Sequence, residues 1–586
     1  MISLRGYLPV LVSAWFAFPA CSNDASKPVA QLPDAGVVLD RDPEFELYPQ
    51  SKLLEVEITL PDADWQQLKG EGRNINDVFS GCSTEAFEYT KFQAKVRVGE
   101  HTFDKVSVRK KGYLGSISMY RPSLRVDLDE FLADQSLGGS KALTLNNSLS
   151  DRSYAAQCVA YERFAAAGIP APRCGFASVK VNGESMGVYV SVEPVKKPFL
   201  RDHFGGDQGD LYEGGGDCDF RDDLLKNFEK KTNESEPQSP QLKALSDALK
   251  LPDEQLLAAL EPLLDVDEFM RFWAVESLVA HWDGYSGDLN NFFVYVDPQK
   301  GSKLRFIPWG TDNALEDGHP FLPTMDWPRS ALAWARLPRR LYAIEDTRKR
   351  YQAILRDELG KHWDEAALNS KIDAIASLTK DSVDASAVAV LHSFINARRA
   401  SLTSELDAAA KPWTIAERAP TVCRPDSQSK ISATFSTIWG DLAATTAVAG
   451  NTVTATVQGS ALAPVYVVAA AGVSTDPAAP GKALRLTVGN PDGSFTLFQF
   501  QLNAPSLAPG ELKLHGFEVF GYVLNGRTKD DGTVSIATVG YIGKGSITFD
   551  AADITTGAPI KGHLEADIVS APPATPATMM PVMTMP

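Results

Sequence analysis

The sequence predicts an α+β domain followed by an all-β sandwich or barrel, and three observations carry that expectation. Between about 53 and 410, short stretches of alternating apolar and polar residues are interleaved with longer stretches of helical period. After Cys423 only short β-rich pieces separated by Gly, Asn, Asp and Pro remain, with no long helix among them. A chain of 586 residues that is 44% apolar has the length and the hydrophobic content for more than one core.

In chain order, residues 1–21 read as an export signal: Arg5 supplies a weak positive charge, and Tyr7 to Ala20 is apolar but too short to span a bilayer comfortably. Its end, FPAC, puts a small Ala20 before Cys21, as at a bacterial lipoprotein processing site, while Phe18 and Pro19 depart from that pattern. Cleavage there makes Cys21 a lipid-anchored first residue on the outer membrane or cell surface; an ordinary signal peptide gives a soluble secreted product. Residues 22–50, rich in Pro, Asp and Ala without a period, read as a disordered tether.

The first domain is expected over 51–412. KLLEVEITL alternates as a strand, DADWQQL reads as a short capped helix, and KFQAKVRVG, KVSVRKKG, RPSLRVDLD and KALTLNNS alternate again. A helix from about Ser153 to Ala167 is stopped by Gly168 and Pro170. GFASVKVNGESMGVYVSVEPV is a hairpin about Asn182-Gly183, a dipeptide that accepts the positive φ of a tight turn. Helical periods follow near 240–264 and 266–281, then two strands, NFFVYVD and KLRFIPW, then helices from about Arg339 to Leu406. The all-β domain is expected over 424–570 from TFSTIWG, NTVTATVQG, PVYVVAAAG, KALRLTVG, GSFTLFQFQL, GTVSIATVG and GKGSITFD, and 571–586 is a low-complexity tail.

The charge balance, 57 basic against 74 acidic residues with no basic run, excludes a nucleic-acid partner. Beyond Cys21 the cysteines are Cys82, Cys158, Cys174, Cys218 and Cys423, with no CxxC pair. That spacing argues against a zinc site and in an exported setting allows one or two disulfides with a thiol left over, the pairing open.

The chemistry concentrates in HWDGYSGDLNNFFVYVDPQKGSKLRFIPWGTDN, His281 to Asn313. A helix leads into the loop, and the hairpin folds Asp312 back toward Asp283. Two carboxylates and an amide converging there suit a hard divalent cation, although Asp and Asn are also the ordinary residues of loops and caps. HWD recurs at His362 to Asp364, where Asp364 reads as a helix N-cap, so the tripeptide alone says little.

The ordered set RKKG, LTLNNSLSD, VKVNGESMGVYVSVEPV, GDLYEGG, HWDGYSGDLNNFFVY and FIPWGTDN resembles the CotH (spore coat protein H-like) family of atypical kinases over about 53–410. The resemblance implies a divergent protein-kinase-like domain that binds ATP with Mg or Mn and phosphorylates proteins at the cell surface or in the envelope. Asp283 is then the catalytic base, and Asn291 and Asp312 are the metal ligands with Asp288 in reserve. Arg109, Lys111 and Gly112 would receive phosphates. Arg125 lies on the strand where a kinase carries its phosphate-pairing cation, Glu162 is that cation's partner, and Glu193 marks the strand-to-hinge passage that receives adenine. Many relatives carry PWDxD where this chain has Pro308-Trp309-Gly310-Thr311-Asp312, so one carboxylate is missing. A degenerate kinase-like surface module that binds proteins or polysaccharide is the alternative. A calcium-stabilised adhesin is a third reading, and its loop fits no EF-hand spacing.

Overall fold

The structure is a computed structural model. It describes residues 42–72, 88–112, 118, 120–319, 327–418, 429–474, 481–502, 507–514, 519–528 and 534–570. The export signal with Cys21, most of the tether, Cys82, Cys423 and the tail 571–586 lie outside the described residues.

Alternation builds the first layer. Strands β1 (Leu54–Thr59), β2 (Phe92–Val98), β3 (His101–Lys111), β4 (Ser123–Asp127), β5 (Ala142–Asn146), β6 (Cys174–Val181) and β7 (Glu184–Val192) close into a barrel in the order β1-β2-β3-β4-β5-β7-β6. Closure comes from a parallel pairing of β1 with β6, in which Val56 faces Val179. In β2 every second residue from Phe92 is buried, and those side chains join Val106, Val108, Leu124, Val126 and Leu145 in one core. The β6–β7 turn holds Asn182 and Gly183 at φ 50 and 84, the two positive values the dipeptide was expected to accept. Helix α1 (Asp62–Gly70) buries Trp65 and Leu68 against the barrel. Helix α2 (Ala156–Ala166) stops where Gly168 turns to φ 75, and a Cys158–Cys174 disulfide ties it to β6. Among the described cysteines that leaves Cys218 as a buried thiol.

The tether expected over 22–50 is corrected at its described end. Leu47 and Tyr48 are buried in the barrel's core cluster, and a Cβ at Gly175 would lie 2.4 Å from the Tyr48 carbonyl carbon, so glycine lets this segment lie against β6. Apolar Phe45, Leu47 and Tyr48 explain the docking: buried apolar area outweighs the lack of a period.

Below the barrel, helix α3 (Lys197–Phe204) leads to a four-stranded sheet in the order β11-β10-β8-β9, from β8 (Leu211–Gly214), β9 (Phe228–Lys230), β10 (Phe292–Asp297) and β11 (Lys303–Pro308). Helices α4 (Pro240–Ala248), α5 (Asp253–Leu260), α6 (Val266–Leu278), the single turn α7 (Tyr285–Asp288), α8 (Arg336–Ala343), α9 (Glu345–His362), α10 (Glu365–Leu378) and α11 (Ala385–Asp407) complete this part. Its core runs from α2 through Phe269, Phe272 and Trp273 of α6 to Phe292 and Phe306 of the hairpin. Asp364 accepts from the Ala367 N–H at 3.0 Å and caps α10, as its place before EAALNSKID foretells.

The C-terminal residues form a single ten-stranded antiparallel sheet around its own core of Phe435, Leu484, Phe498, Phe500 and Ile547. Bridges from Trp439 and Asp441 to Ala471 draw its parts together. The all-β domain expected there is present, and its sandwich or barrel form holds in part: one continuous sheet whose parts those bridges bring together. The described part of GTVSIATVG, from Val534, and GKGSITFD belong to one long strand, Val534–Ala551, and Val519–Thr528 and Pro559–Ser570 are strands the alternation did not flag.

Candidate active site

Helix α6 aims the loop. Asp265 caps its first turn, and its last turns are buried all round by aromatic and aliphatic neighbours. At its far end Ala280 takes φ 50 and breaks the helix, and His281 is fully buried, its Nε2 at 3.1 Å from the Trp309 carbonyl. Burial lowers the His281 pKa to about 4, so the ring is neutral and ties the loop to the end of β11. Glu276, also fully buried, accepts from the N–H groups of Tyr285 at 2.9 Å and Ser286 at 3.0 Å and so caps α7. Burial raises its pKa to about 8. Gly284 is required here: a Cβ would sit 2.4 Å from the Glu276 carboxylate.

Between these anchors stands Asp283. Its carboxylate accepts from three side-chain amides: Asn290 at 3.0 Å, Asn291 at 2.8 Å and Asn313 at 3.4 Å. Burial chiefly, then Asp288 and Asp312, raise its pKa to about 8, against the pull of those amides. The amide of Asn291 also reaches the Asp283 carbonyl at 3.1 Å. The backbone at Asn291 is left-handed, φ 48, as is that at Gly310, φ 53. The Asn291 oxygen lies 2.5 Å from where a Cβ on Gly310 would be, so the amide fills the space of the absent side chain.

Asp312 follows β11 in a tight turn, Thr311–Asn313, that leans on α2 through Thr311 Oγ1 and the Gln157 carbonyl at 3.2 Å. Burial raises its pKa, and the cation acting on it in the opposite sense is Lys111. Lys111 itself is lowered to about 8, first by burial and then by Arg125 and Arg109, with Asp312 holding it up. Its ammonium donates to Asn146 Oδ1, and Asn146 in turn donates to Gln157 of α2 at 2.9 Å. Asp283, Asn291, Asp312 and Lys111 thus converge from four separate segments.

Other expected residues lie elsewhere. Asp288 is paired with Arg418, which also bonds Asp217, and burial sets its pKa at about 7. Its place as reserve metal ligand gives way to that ion pair. Glu162 bonds Lys371 of α10 at 2.9 Å rather than a phosphate-binding cation; the α2 residue on that side is Gln157, one and a half turns earlier. Arg125 is held by Asp127 at 2.9 Å and by Thr144. The Glu193 carboxylate takes Arg173 at 2.6 Å and the Glu193 N–H reaches the Arg173 carbonyl, so this residue closes a strand end. Gly112, at φ 113, accepts from Tyr89 through its carbonyl; the YLGS turn after it lies outside the described residues. Sequence reasoning passed over Glu276, Asn146 and Gln157. A buried Glu in an apolar helix was a readable signal for the first; the others carried none.

The donor set fits a hard cation that keeps waters. Among the described residues no three His, Cys, Asp or Glu side chains gather into an all-protein site. Two carboxyl groups with amides between them suit Mg or Mn shared with phosphates.

A sequence model of the family described as CotH kinase protein matches residues 108–400, half of the chain. The chain belongs to the CotH kinase family. It is 25% identical over 272 residues to the inner spore coat protein H of Bacillus subtilis, across 44% of this chain and 69% of that protein. It is 30% identical over 129 residues to the invasin CotH3 of Rhizopus delemar, across 20% of this chain and 22% of that one. A solved structure, the Helicobacter pylori proinflammatory kinase CtkA, aligns at 12% identity over 45% of this chain and 89% of its own, with a TM-score of 0.26. That likeness is too loose to support an argument. In this CotH protein the family match spans β3 to α11 and so contains every residue placed above around Asp283.

Proposed function

We propose that this CotH protein is an ATP-dependent protein kinase whose acceptors are surface or envelope proteins. The observation that carries the reading is the convergence of Lys111, Asp283, Asn291 and Asp312 from a barrel strand, a loop, a strand start and a turn. Phosphoryl transfer needs positioning and charge neutralisation more than covalent help, and this set supplies both. When bound, Mg or Mn would neutralise the transferring phosphate. Asp312, with Asn291 beside it, would hold the cation; Lys111 would pair with phosphate oxygens; Asp283 would take the acceptor hydroxyl's proton. A carboxyl with pKa about 8 holds its own proton at neutral pH. Asp283 would act as the base in its carboxylate form, which a divalent cation held beside it would favour by lowering that pKa. The spore-coat and invasin names of the relatives support an exported or surface protein, and the Ala20-Cys21 junction supports a lipid anchor as the finer form of that reading.

One observation favours a non-catalytic surface module: Gly310 leaves the site one carboxylate short of PWDxD. Labelling decides between them. The purified chain is incubated with γ-labelled ATP, Mn or Mg, and casein, beside Asp283→Ala, Asp312→Ala and, as a control for the duplicate tripeptide, Asp364→Ala. The kinase reading expects wild type and Asp364→Ala to label and the first two to fall by about 100-fold or more. Equal labelling in all four, or none in any, would remove it.

A further inference from the structure

After α11 the chain stays on the domain. Residues 411–418 form a strap held by α8 and the segment before it: the Tyr342 hydroxyl donates to the Lys411 carbonyl at 2.9 Å, and the Trp334 indole donates to the Ala416 carbonyl at 3.0 Å. Between them Ile415 is buried with Trp327 and Leu332, and Arg336 takes the Glu417 carboxylate in a fork at 3.0 and 2.6 Å. The strap lies past residue 400, where the family match ends. It is the last described stretch before the all-β domain, which begins at Ser429.

The strap's end carries Arg418 onto the Asp283 loop. Its guanidinium pairs with Asp217 at 2.7 Å and with the Asp288 side chain, donates to the Asp288 carbonyl at 3.2 Å, and lies 5.5 Å from the centre of the Trp334 ring. Asp288 is the last residue of α7. Asp217 belongs to the turn after β8, in which the Gly216 N–H donates to Asn290 Oδ1 at 2.7 Å and the Cys218 N–H to the Leu289 carbonyl at 2.9 Å. The same Asn290 amide donates to Asp283 at 3.0 Å. One cation therefore ties together the two segments between which Asn290 is held.

The loop needs such a tie. A helix of one turn does not sustain itself, and Leu289 and Asn291 after it stand at φ 58 and 48, a backbone that a bulky side chain keeps only where its neighbours over-determine it. Glu276 fixes the start of α7, and Arg418 fixes its end. Removing the guanidinium would strip Asp217 and Asp288, with side chains 17% and 11% exposed, of the cation they share, and breaking so buried a pair costs more than the pair itself is worth.

We propose that Arg418 is a positioning residue for the Asp283 loop, and that the strap bearing it, outside the family match, is part of this chain's active site. What the loop does once held rests on the kinase reading; that Arg418 holds it does not.

Two measurements on the full chain test this, hydrogen exchange of the amides of 284–291 and ATP-dependent labelling of casein, in wild type, Arg418→Gln and Arg418→Lys. The Arg418 side chain is 31% exposed, so both variants keep the fold, and exchange across α11 checks it. The glutamine variant should exchange about tenfold faster over 284–291 and lose about tenfold in kcat with the KM for ATP within about twofold, because the lost contact touches neither nucleotide nor metal. The lysine variant keeps the charge and should return most of both. Exchange over 284–291 equal to wild type in the glutamine variant overturns the proposal whatever the labelling does. So does faster exchange with kcat unchanged, a rise in KM in place of a fall in kcat, or a lysine variant as impaired as the glutamine one. Exchange rising equally across α11 overturns it too, since Arg418 would then hold the fold and not the loop. Wild type that labels nothing, with exchange faster over 284–291 alone in the glutamine variant, would sink the kinase reading and leave Arg418 as the clamp of the loop.

Discussion

Replacing Gly310 by alanine tests whether its missing side chain is a defect or a fit. Two costs follow from the geometry. The residue sits at φ 53, where an L side chain is strained by about 1–2 kcal/mol. The new Cβ would also lie 2.5 Å from the Asn291 amide oxygen and 2.6 Å from its carbonyl carbon, so the amide must swing away. Swinging costs its 2.8 Å bond to the Asp283 carboxyl, worth about 0.5–1.5 kcal/mol for an acceptor that is protonated at neutral pH. Gly310→Ala should therefore lose about 1.5–3.5 kcal/mol, and in an Asn291→Ala background only the backbone strain of about 1–2 kcal/mol should remain. Urea unfolding followed by tryptophan fluorescence measures this, since of ten tryptophans only Trp439 lies beyond Cys423 and the signal reports the first domain. An equal cost in both backgrounds would refute the claim that Asn291 occupies the place of a side chain. Gly310→Asp carries the same strain, so restoring the family carboxylate should destabilise the chain rather than simply activate it.

Stability without divalent cations should fall as pH rises from about 6.5 to 8. Asp283 and Glu276 at about 8 and Asp288 at about 7 keep protons in the folded chain that the unfolded chain has already lost. Buried His281 and His319, depressed to about 4, act in the opposite sense only below that window. Thermal midpoints across it, with and without Mn, give the answer, and a flat or rising apo profile would contradict the burial of those carboxyls. Asn146→Ala and Gln157→Ala should each raise the KM for ATP by about tenfold with a smaller change in kcat, because they hold Lys111 and touch no reacting atom; a fall in kcat at constant KM would deny them that role. The Cys158–Cys174 bridge, closing a separation of 16 residues, should contribute about 3 kcal/mol by restricting the unfolded chain. Melting with and without reductant, and of Cys158→Ala with Cys174→Ala, checks that figure, which no shift in midpoint would disprove.

Local periods were readable because each acts within a few residues. The β6–β7 turn, the stop of α2 at Gly168 and the cap at Asp364 all follow from chemistry next to them in the chain. The loop was legible for the same reason: Asp283, Asn290 and Asn291 lie within nine residues, and a short hairpin brings Asp312 and Asn313 to them. What failed were choices among residues of one type. Whether Glu162 or Gln157 faces the lysine depends on how α2 rolls against α10, where Lys371 draws Glu162 away. Whether Asp288 is a ligand depends on Arg418, 130 residues downstream. The barrel closure of β1 on β6 is likewise a long-range parallel pairing, and no turn announces it.

The site's remaining question is how it could hold a cation with one carboxylate after Trp309. Asn291 bears on it directly. Its nitrogen donates to Asp283 while its oxygen points into the space that a residue-310 side chain would enter. An oxygen therefore stands near the place the missing aspartate would fill, but a neutral one. A neutral oxygen can complete a coordination shell; it cannot supply charge, and divalent affinity tracks ligand charge. Asn291→Asp adds that charge without disturbing Gly310. It should bind Mn about tenfold more tightly, from the added attraction at short range even in a partly screened site. It should also be less stable than wild type in the absence of metal, because two buried carboxylates then face each other with the amide bond gone. Calorimetric titration of Mn and a metal-free melt read the two effects separately. Tighter Mn binding with lower apo stability is the paired outcome that puts Asn291 against the cation. Unchanged or weaker Mn binding would mean that its oxygen never faces the metal and that Asp312 holds it without help from this position.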